Sequence, residues 1–305
     1  MDRSGSAVHN RDAADRGDVR VSKPTLFVSF SGGRTSGYMC HWLLENKANE
    51  YDLRFVFANT GLEHEKTLDF VDRCDREFGL NLAWLEAVVN TEHGKGIRHK
   101  VVTYETASRN GEPFERVVRK YGVTNADYPH CTRDLKLLPM FDWMRTMGFS
   151  PNHKKAIGIR ADEIDRMSDK ASETGLIYPL IEWTQVTKAD VRHWWAGQPF
   201  DLELSEHLGN CVTCWKKSDR KLWTIAKHEP ERFEFMDRME REFGHAGAGD
   251  AKRVFFRRYR TAQDILREAR EGKFKEYRDT MPELQQRLFD PVDLEADCGA
   301  GCEIG

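Results

Sequence analysis

Residues 25–36 read TLFVSFSGGRTS. The first six are short, apolar and β-favouring, which predicts a buried strand. That strand runs into the pair Gly32-Gly33, where the missing side chains permit a tight turn. Beyond it, GYMCHWLLENK carries Tyr38, Met39, Trp42 and Leu43 at helical spacing. A helix is therefore expected to start near Thr35 or Ser36, either of which can cap it.

The same rhythm continues downstream. LRFVFANTG at 53–61 predicts a second buried strand ending at Asn59, Thr60 and Gly61. HEKTLDFVDRCDREF at 64–78 sets Leu68, Val71 and Phe78 on one face with acids near its start, as in an amphipathic helix. LAWLEAVV at 82–89 is a third strand. Strand and helix alternating in this way predict an α/β fold, a doubly wound and mostly parallel sheet covered by helices on both faces. Residues 90–110 lack a helical period and cluster His93, Lys95, Arg98, His99 and Lys100, so they read as an excursion over the sheet edge. Helical patterns resume at 112–121 and at 134–147, the latter interrupted at Pro139. KKAIGI at 154–159 is a further buried strand that ends in Arg160, and TKADVRHWW reads as a short helix with Thr187 as its N-cap.

Three regions follow: a disordered leader over 1–24, a nucleotide-binding domain over 25–200, and a smaller helical, cysteine-containing part over 201–305. Across all 305 residues, 47 basic and 50 acidic side chains give a formal net charge of −3. That balance excludes attachment to nucleic acid by bulk charge while leaving room for a local basic groove. No apolar run approaches the roughly 18 residues that suggest a membrane span. Seven cysteines are few and odd in number for a disulfide scaffold, so a reducing cytoplasm is the expected setting.

Ser31-Gly32-Gly33-Arg34-Thr35-Ser36, between strand and helix, has the chemistry of a phosphate loop. Its glycines let backbone N–H groups converge on an anion, Ser31 and Ser36 add hydroxyls, and the helix N-terminus adds a favourable dipole. The spacing is neither a Walker A loop nor a dinucleotide G-x-G-x-x-G. An ordinary Gly-rich turn is the bland alternative.

The chain resembles the phosphoadenosine phosphosulfate (PAPS) reductase family of the PP-loop ATP pyrophosphatase superfamily, whose S-G-G-x-x-S signature matches residues 31–36. The likeness continues in FANTGLEHEKTLDFV at 57–71, KVVTYETASRNGEPFE at 100–115, HCTRDLKLLPM at 130–140, IGIRADE at 157–163 and YPLIEWTQVTKADV at 178–191. The resemblance implies an adenine nucleotide alpha hydrolase-like fold, with ATP, or PAPS or adenosine phosphosulfate (APS), as nucleotide, and Mg²⁺. It implies that Asn59, Thr60 and Gly61 line the adenine nucleotide pocket. Arg133 and Lys136 are suited to neutralise phosphates or a sulfonate, Arg133 as a fork and Lys136 as a point charge, and Arg160 ends a strand on the ligand side. Asp162 and Glu163 read equally as surface ion-pair partners or as groups positioning Arg160 or Mg²⁺.

Cysteine spacing adds a second theme. Cys211 and Cys214 form a C-x-x-C that suits zinc, an iron–sulfur cluster or a redox disulfide. In cluster-bearing relatives a cysteine at the position of Cys131 joins such a pair, so the resemblance implies Cys131, Cys211 and Cys214 as ligands of a 4Fe–4S cluster. Where APS reductases carry Cys-Cys, this chain has His130-Cys131; His130, Cys298 or Cys302 would have to complete the site. Cys298 and Cys302, set among glycines near residue 305, occupy the place from which a reductase tail supplies its nucleophile. Zinc held by both pairs, or a tail of spare thiols, are the competing readings. Cys40 and Cys74 fall in amphipathic helices and read as core residues. Trp194, Trp195, Phe255 and Phe256, with Arg257, Arg258 and Arg260 nearby, read as helix packing beside a solvated basic face rather than a base-stacking surface.

These features favour an ATP pyrophosphatase that adenylylates an acceptor for sulfur insertion, of the nucleic-acid thiolation or DNA phosphorothioation type. Its partners would be a sulfur donor such as a cysteine desulfurase and, through a partner, nucleic acid. The alternative is a PAPS/APS reductase resolved by a thioredoxin-type reductant. A nucleotide or redox sensor without turnover is a third reading.

Overall fold

The structure, a computed structural model, describes residues 23–90, 92, 94–247 and 251–279. The expected leader, apart from its last two residues, and both tail cysteines, Cys298 and Cys302, lie outside the described residues. Within them runs the expected alternation: β1 Thr25–Ser29, α1 Arg34–Lys47, β2 Asp52–Asn59, α2 Glu65–Phe78 and β3 Ala83–Val89. There follow β4 Ile97–Val102, α3 Glu112–Tyr121, α4 Leu138–Thr146, β5 Lys155–Ala156, α5 Ala171–Thr174, β6 Leu176–Ile177, α6 Pro179–Glu182 and α7 Lys188–Ala196. The C-terminal part is helical, with α8 Asp219–His228, α9 Glu234–Phe243 and α10 Ala262–Glu271.

The six strands form one sheet in the order β4-β3-β2-β1-β5-β6. All neighbours are parallel except β3 and β4, which pair antiparallel. β1 shows why the sheet needs cover on both sides. Leu26 and Val28 enter one core with residues of α1, α2 and α7, while Phe27 enters the opposite core with Met140 and Met144 of α4. This is the two-residue period of a strand with two buried faces. A third cluster joins α3 to α8, α9 and α10 and builds the helical part.

The chain crosses from β1 to β2 on one side and later returns to place β5 on the other. The strand order thus reverses at β1, the position beside which open α/β sheets hold ligands, at the carboxyl ends of the strands.

Two expectations are corrected. The 90–110 excursion contains β4, an edge strand in which only Ile97 and Val102 are buried while Arg98 and Lys100 reach from exposed positions to the buried acids Asp142 and Glu86, so the run hides its strand character. The interrupted helix at 134–147 is a π-helical turn, Arg133–Leu137, followed by α4, with Pro139 in the first turn of α4 where a missing N–H costs nothing. Among the described residues no helix is long and apolar enough to cross a membrane.

Candidate nucleotide cleft and thiol cavity

The loop after β1 closes on itself through hydroxyls. Ser36 Oγ accepts from the Ser31 backbone N–H at 3.1 Å, lies 2.8 Å from Ser31 Oγ and donates to the Gly33 carbonyl at 3.1 Å. Ser36 is thus used inside the loop, and α1 begins earlier than expected, at Arg34 with Gly33 as cap. Gly32 has φ +84°, and a Cβ there would stand 2.8 Å from Thr67 Cγ2, so this corner requires glycine on two counts.

A cleft of about 550 Å³ opens over the loop, a size suited to a nucleotide. All six loop residues line it, as do Gly158 and Arg160 beyond β5. Arg160 reaches the loop directly, donating to Thr35 Oγ1 at 3.0 Å, while Asp162 holds its other edge through bonds of 3.0 and 3.2 Å and Glu163 approaches at 3.2 Å. Burial pushes the Asp162 carboxyl up, but its hydrogen bonds and charge contact with Arg160 outweigh that and hold it below its ordinary value. Asp162 and Glu163 therefore position Arg160 over the loop. Arg34 is forked by Asp201 at 2.7 and 2.9 Å and also donates to the Leu202 carbonyl, fixing the cleft wall. Farther out, Glu206 takes Lys188 and Arg192.

The other predicted residues stand elsewhere. Asn59 is fully buried, donating to Glu86 Oε1 at 2.7 Å and to the Ser108 carbonyl at 2.9 Å, and Gly61 packs on Gly111. Thr60 donates to Glu63 Oε1 at 2.8 Å, and its Oγ1 lies 3.3 Å from Cys211 Sγ. None of Asn59, Thr60 and Gly61 is among the residues that line the cleft. Arg133 is largely exposed and turns onto neighbouring Asp134 at 2.7 Å.

Thr60 instead lines a second, small cavity of about 20 Å³, together with Lys136, Trp215 and three cysteines: Cys131, Cys211 and Cys214. Cys131 comes from the entrance to the π turn and the pair from a loop antiparallel to the exit of β2, where Glu63 bridges Cys211 and Val212 N–H donates to the Leu62 carbonyl at 3.1 Å. Residues about 80 apart in sequence thereby share one wall. Among the described residues no three His, Cys, Asp or Glu side chains converge at metal-binding separation. The donor chemistry nevertheless suits a thiolate-bound group, because the buried Trp215 indole N–H has no hydrogen-bond partner among the described residues and thiolate or sulfide sulfur accepts such a bond. His130, the adjacent candidate, has a buried Nε2 without a partner among the described residues and does not line the cavity; burial lowers its pKa. Cys40 and Cys74 are buried in the core, where burial pushes the Cys74 thiol up.

The two cavities adjoin along the chain. Gly209 and Asn210 line the cleft, and the next residue, Cys211, lines the thiol cavity. Sequence reasoning missed Asp201, Lys188 and Arg192 in the cleft and Trp215 beside the thiols; only Trp215, adjoining the C-x-x-C, carried a local signal.

The family model described as "Phosphoadenosine phosphosulfate reductase domain" matches residues 25–194, more than half of the chain. The chain belongs to this family. A PAPS reductase-type domain thus carries the phosphate loop and Arg160, while the C-x-x-C lies beyond the matched span. The chain is 38% identical over 206 residues to "Uncharacterized nin region protein ORF290" of Escherichia phage lambda, covering 66% of this chain and 69% of that protein. Two proteins of Methanocaldococcus jannaschii, "Uncharacterized protein MJ0066" and "Uncharacterized protein MJ0973", are 31% and 30% identical over 57% and 39% of this chain. The chain spans only 30% and 22% of their lengths. Membership supports nucleotide use in sulfur metabolism and leaves the reaction to chemistry.

Proposed function

We propose that this protein is an ATP pyrophosphatase that activates an acceptor for sulfur insertion. The carrying observation is the adjacency just described: the segment 209–211 forms wall for the phosphate-loop cleft and for a cavity with three cysteines. In this reading the loop N–H groups and α1 N-terminus bind the β- and γ-phosphates of ATP with Mg²⁺, and Arg160 neutralises charge that develops as pyrophosphate leaves. An acceptor oxygen attacks the α-phosphorus, the bond to pyrophosphate breaks, and an adenylylated acceptor forms. Catalysis rests on positioning and charge neutralisation.

Sulfur arrives from a cysteine desulfurase-type donor as a persulfide on one of Cys131, Cys211 and Cys214. Its terminal sulfur bonds to the activated atom and AMP departs. A second thiolate then attacks the inner sulfur, releasing the thiolated product and leaving a disulfide that a thioredoxin-type reductant reopens. Alternatively, Cys131, Cys211 and Cys214 would hold a 4Fe–4S cluster, which would present sulfide in place of the persulfide and need no disulfide step. The thiolated class we favour is nucleic acid, as a base or backbone.

A second reading, favoured by the family's description, is a PAPS or APS reductase that would use Cys298 or Cys302 as nucleophile. Anaerobically purified protein separates the two. Pyrophosphate release from ATP without sulfite from PAPS or APS is expected. Sulfite without pyrophosphate would sink the sulfur-insertion reading, and silence in both assays with acceptors supplied would favour a sensor.

A further inference from the structure

The segment between α9 and α10 ends in a hairpin built around Arg257-Arg258-Tyr259-Arg260. Phe256 and Arg260 exchange both backbone hydrogen bonds, at 3.2 and 3.3 Å, closing a three-residue loop. At its tip Arg258 and Tyr259 have φ +60° and +55°, two consecutive residues in the left-handed region. Glycine or asparagine meets that requirement with little strain, whereas an arginine and a tyrosine cost of order 1 kcal/mol each there. Among the described residues the tip makes one charged contact, Arg258 with Asp219 at 3.5 Å, the same carboxylate that takes Arg260. Tyr259 is 81% exposed, the most exposed of the large hydrophobic side chains among the described residues, and the Arg258 side chain is 73% exposed.

The base of the hairpin, by contrast, is rigid. Phe255 and Phe256 are buried, and Arg260 is pinned by Asp219 and by Glu268. Arg257 donates to the carbonyls of Lys216 at 2.8 Å and Lys217 at 2.6 Å, the two residues that follow Trp215 of the thiol cavity. An exposed aromatic ring beside one solvent-facing guanidinium, that of Arg258, is thus mounted on the segment that carries the C-x-x-C. Phe255 and Phe256 pack in the interior as expected, and of the three arginines expected on a solvated face Arg258 is exposed while Arg257 and Arg260 are half-buried.

We infer that the Arg258-Tyr259 tip is a contact for single-stranded nucleic acid, Tyr259 stacking on an unpaired base and Arg258 meeting the adjacent phosphate. An exposed phenol face with a neighbouring cation has the two elements such strands require, π-stacking and charge neutralisation. A duplex hides its base faces, and a protein partner of ordinary hydrophobic type would call for an apolar patch around the ring rather than arginines. The inference deepens the sulfur-insertion reading by naming its substrate class, but it concerns binding alone and does not need ATP hydrolysis.

The test is fluorescence anisotropy of the full chain with labelled single-stranded RNA and DNA oligonucleotides, without nucleotide, across a salt series. Tyr259→Ala is expected to weaken binding by about 5- to 100-fold, and Tyr259→Phe, which keeps the ring, to leave it within about 2-fold. Arg258→Ala should lower the slope of log affinity against log salt by about one phosphate contact. Tyr259→Gly relieves the backbone strain, so it should keep or raise the thermal midpoint while losing affinity, which separates a binding role from a structural one. Absence of binding to either strand, or binding that Tyr259→Ala leaves unchanged, would overturn the inference. So would equal loss for a blunt duplex. Pyrophosphate release in the Tyr259→Ala protein reports on the cleft independently, so failure of this contact and failure of the ATP reading are distinguishable.

Discussion

At Gly158 the backbone passes so close to the phosphate loop that a Cβ would stand 3.2 Å from Ser36 Cα and 3.4 Å from Ser36 N. Those atoms belong to the turn that shapes the anion site and cannot swing aside as a flexible side chain would. Gly158→Ala is therefore expected to distort the loop and weaken ATP binding about tenfold, the worth of one hydrogen bond of roughly 1.4 kcal/mol. Gly33→Ala is the contrast: its nearest neighbour is Ser31 Oγ at 3.9 Å, so the fold should tolerate it, with a thermal midpoint near that of the parent. Titration calorimetry and thermal melts check both; equal affinity for Gly158→Ala and the parent would refute the close-approach account. Trp215 poses a different residue-scale question. Its orphaned N–H already costs stability when nothing accepts from it, which partly cancels the packing lost on truncation. Trp215→Phe should thus change the stability of reduced, metal-free protein by less than about 1 kcal/mol, well under the usual cost for a buried tryptophan. A loss of several kcal/mol in urea unfolding would show that the indole is bonded in that state.

The elements differ in how openly the sequence declares them. β1, β2 and β3 are apolar runs with a side chain for each face, so they were legible. β4 was not, because an edge strand on a sheet shows one buried position at each end of IRHKVV and charge between them. β5 and β6 are two residues each and owe their strand character to pairing with β1 and with one another. The π turn at Arg133–Leu137 likewise has no local signal; it widens the helix just after Cys131, which helps explain why Arg133 turns outward. Within the helical part a buried acid links the elements that the apolar cluster packs together. Glu240 Oε1 accepts from the Phe255 N–H at 2.8 Å and Oε2 from the Ala262 N–H at 2.9 Å, tying α9 to the base of the hairpin and to α10. Glu240→Gln replaces one acceptor with a donor facing an N–H and should cost about 1–3 kcal/mol. Burial pushes the Glu240 carboxyl up to about 7, against an ordinary value of 4.5. The folded state then binds the proton more tightly than the unfolded chain, so this group's contribution to stability falls as pH rises from about 4.5 to about 7. Urea midpoints across that range, compared between the parent and Glu240→Gln, should show the slope in the parent alone; parallel curves would contradict it.

For the whole molecule the consequential fact is that the nucleotide cleft and the thiol cavity are separate spaces joined at residues 209–211. Removing the thiols should therefore divide the reaction. Cys131→Ser, Cys211→Ser and Cys214→Ser should each keep ATP binding and acceptor-dependent pyrophosphate release while abolishing sulfur in the product, read by mass spectrometry. Loss of ATP binding in all three would show that the cavity supports the cleft instead. Bound nucleotide should also stabilise the fold by mass action, about 2.7 kcal/mol at a concentration of 100 times Kd, visible as a raised thermal midpoint. The glycine loop, the parallel sheet and the Cys211–Cys214 pair were readable from the chain because each is written locally: a glycine turn, an apolar run, a spacing; Cys131 entered only through the family resemblance. Which charges share the cleft was not readable. Arg34 and Arg160 stand there, Lys136 lines the thiol cavity and Arg133 faces solvent, and Asp201 and Glu206 enter from more than 160 residues beyond the loop. By itself the sequence determined the β-α periodicity and the glycine turn between β1 and α1, which need only neighbours along the backbone. The tertiary structure alone decided the company those residues keep, because strand order, edge position and the return of the C-x-x-C loop onto β2 depend on burying surface between segments far apart in the chain.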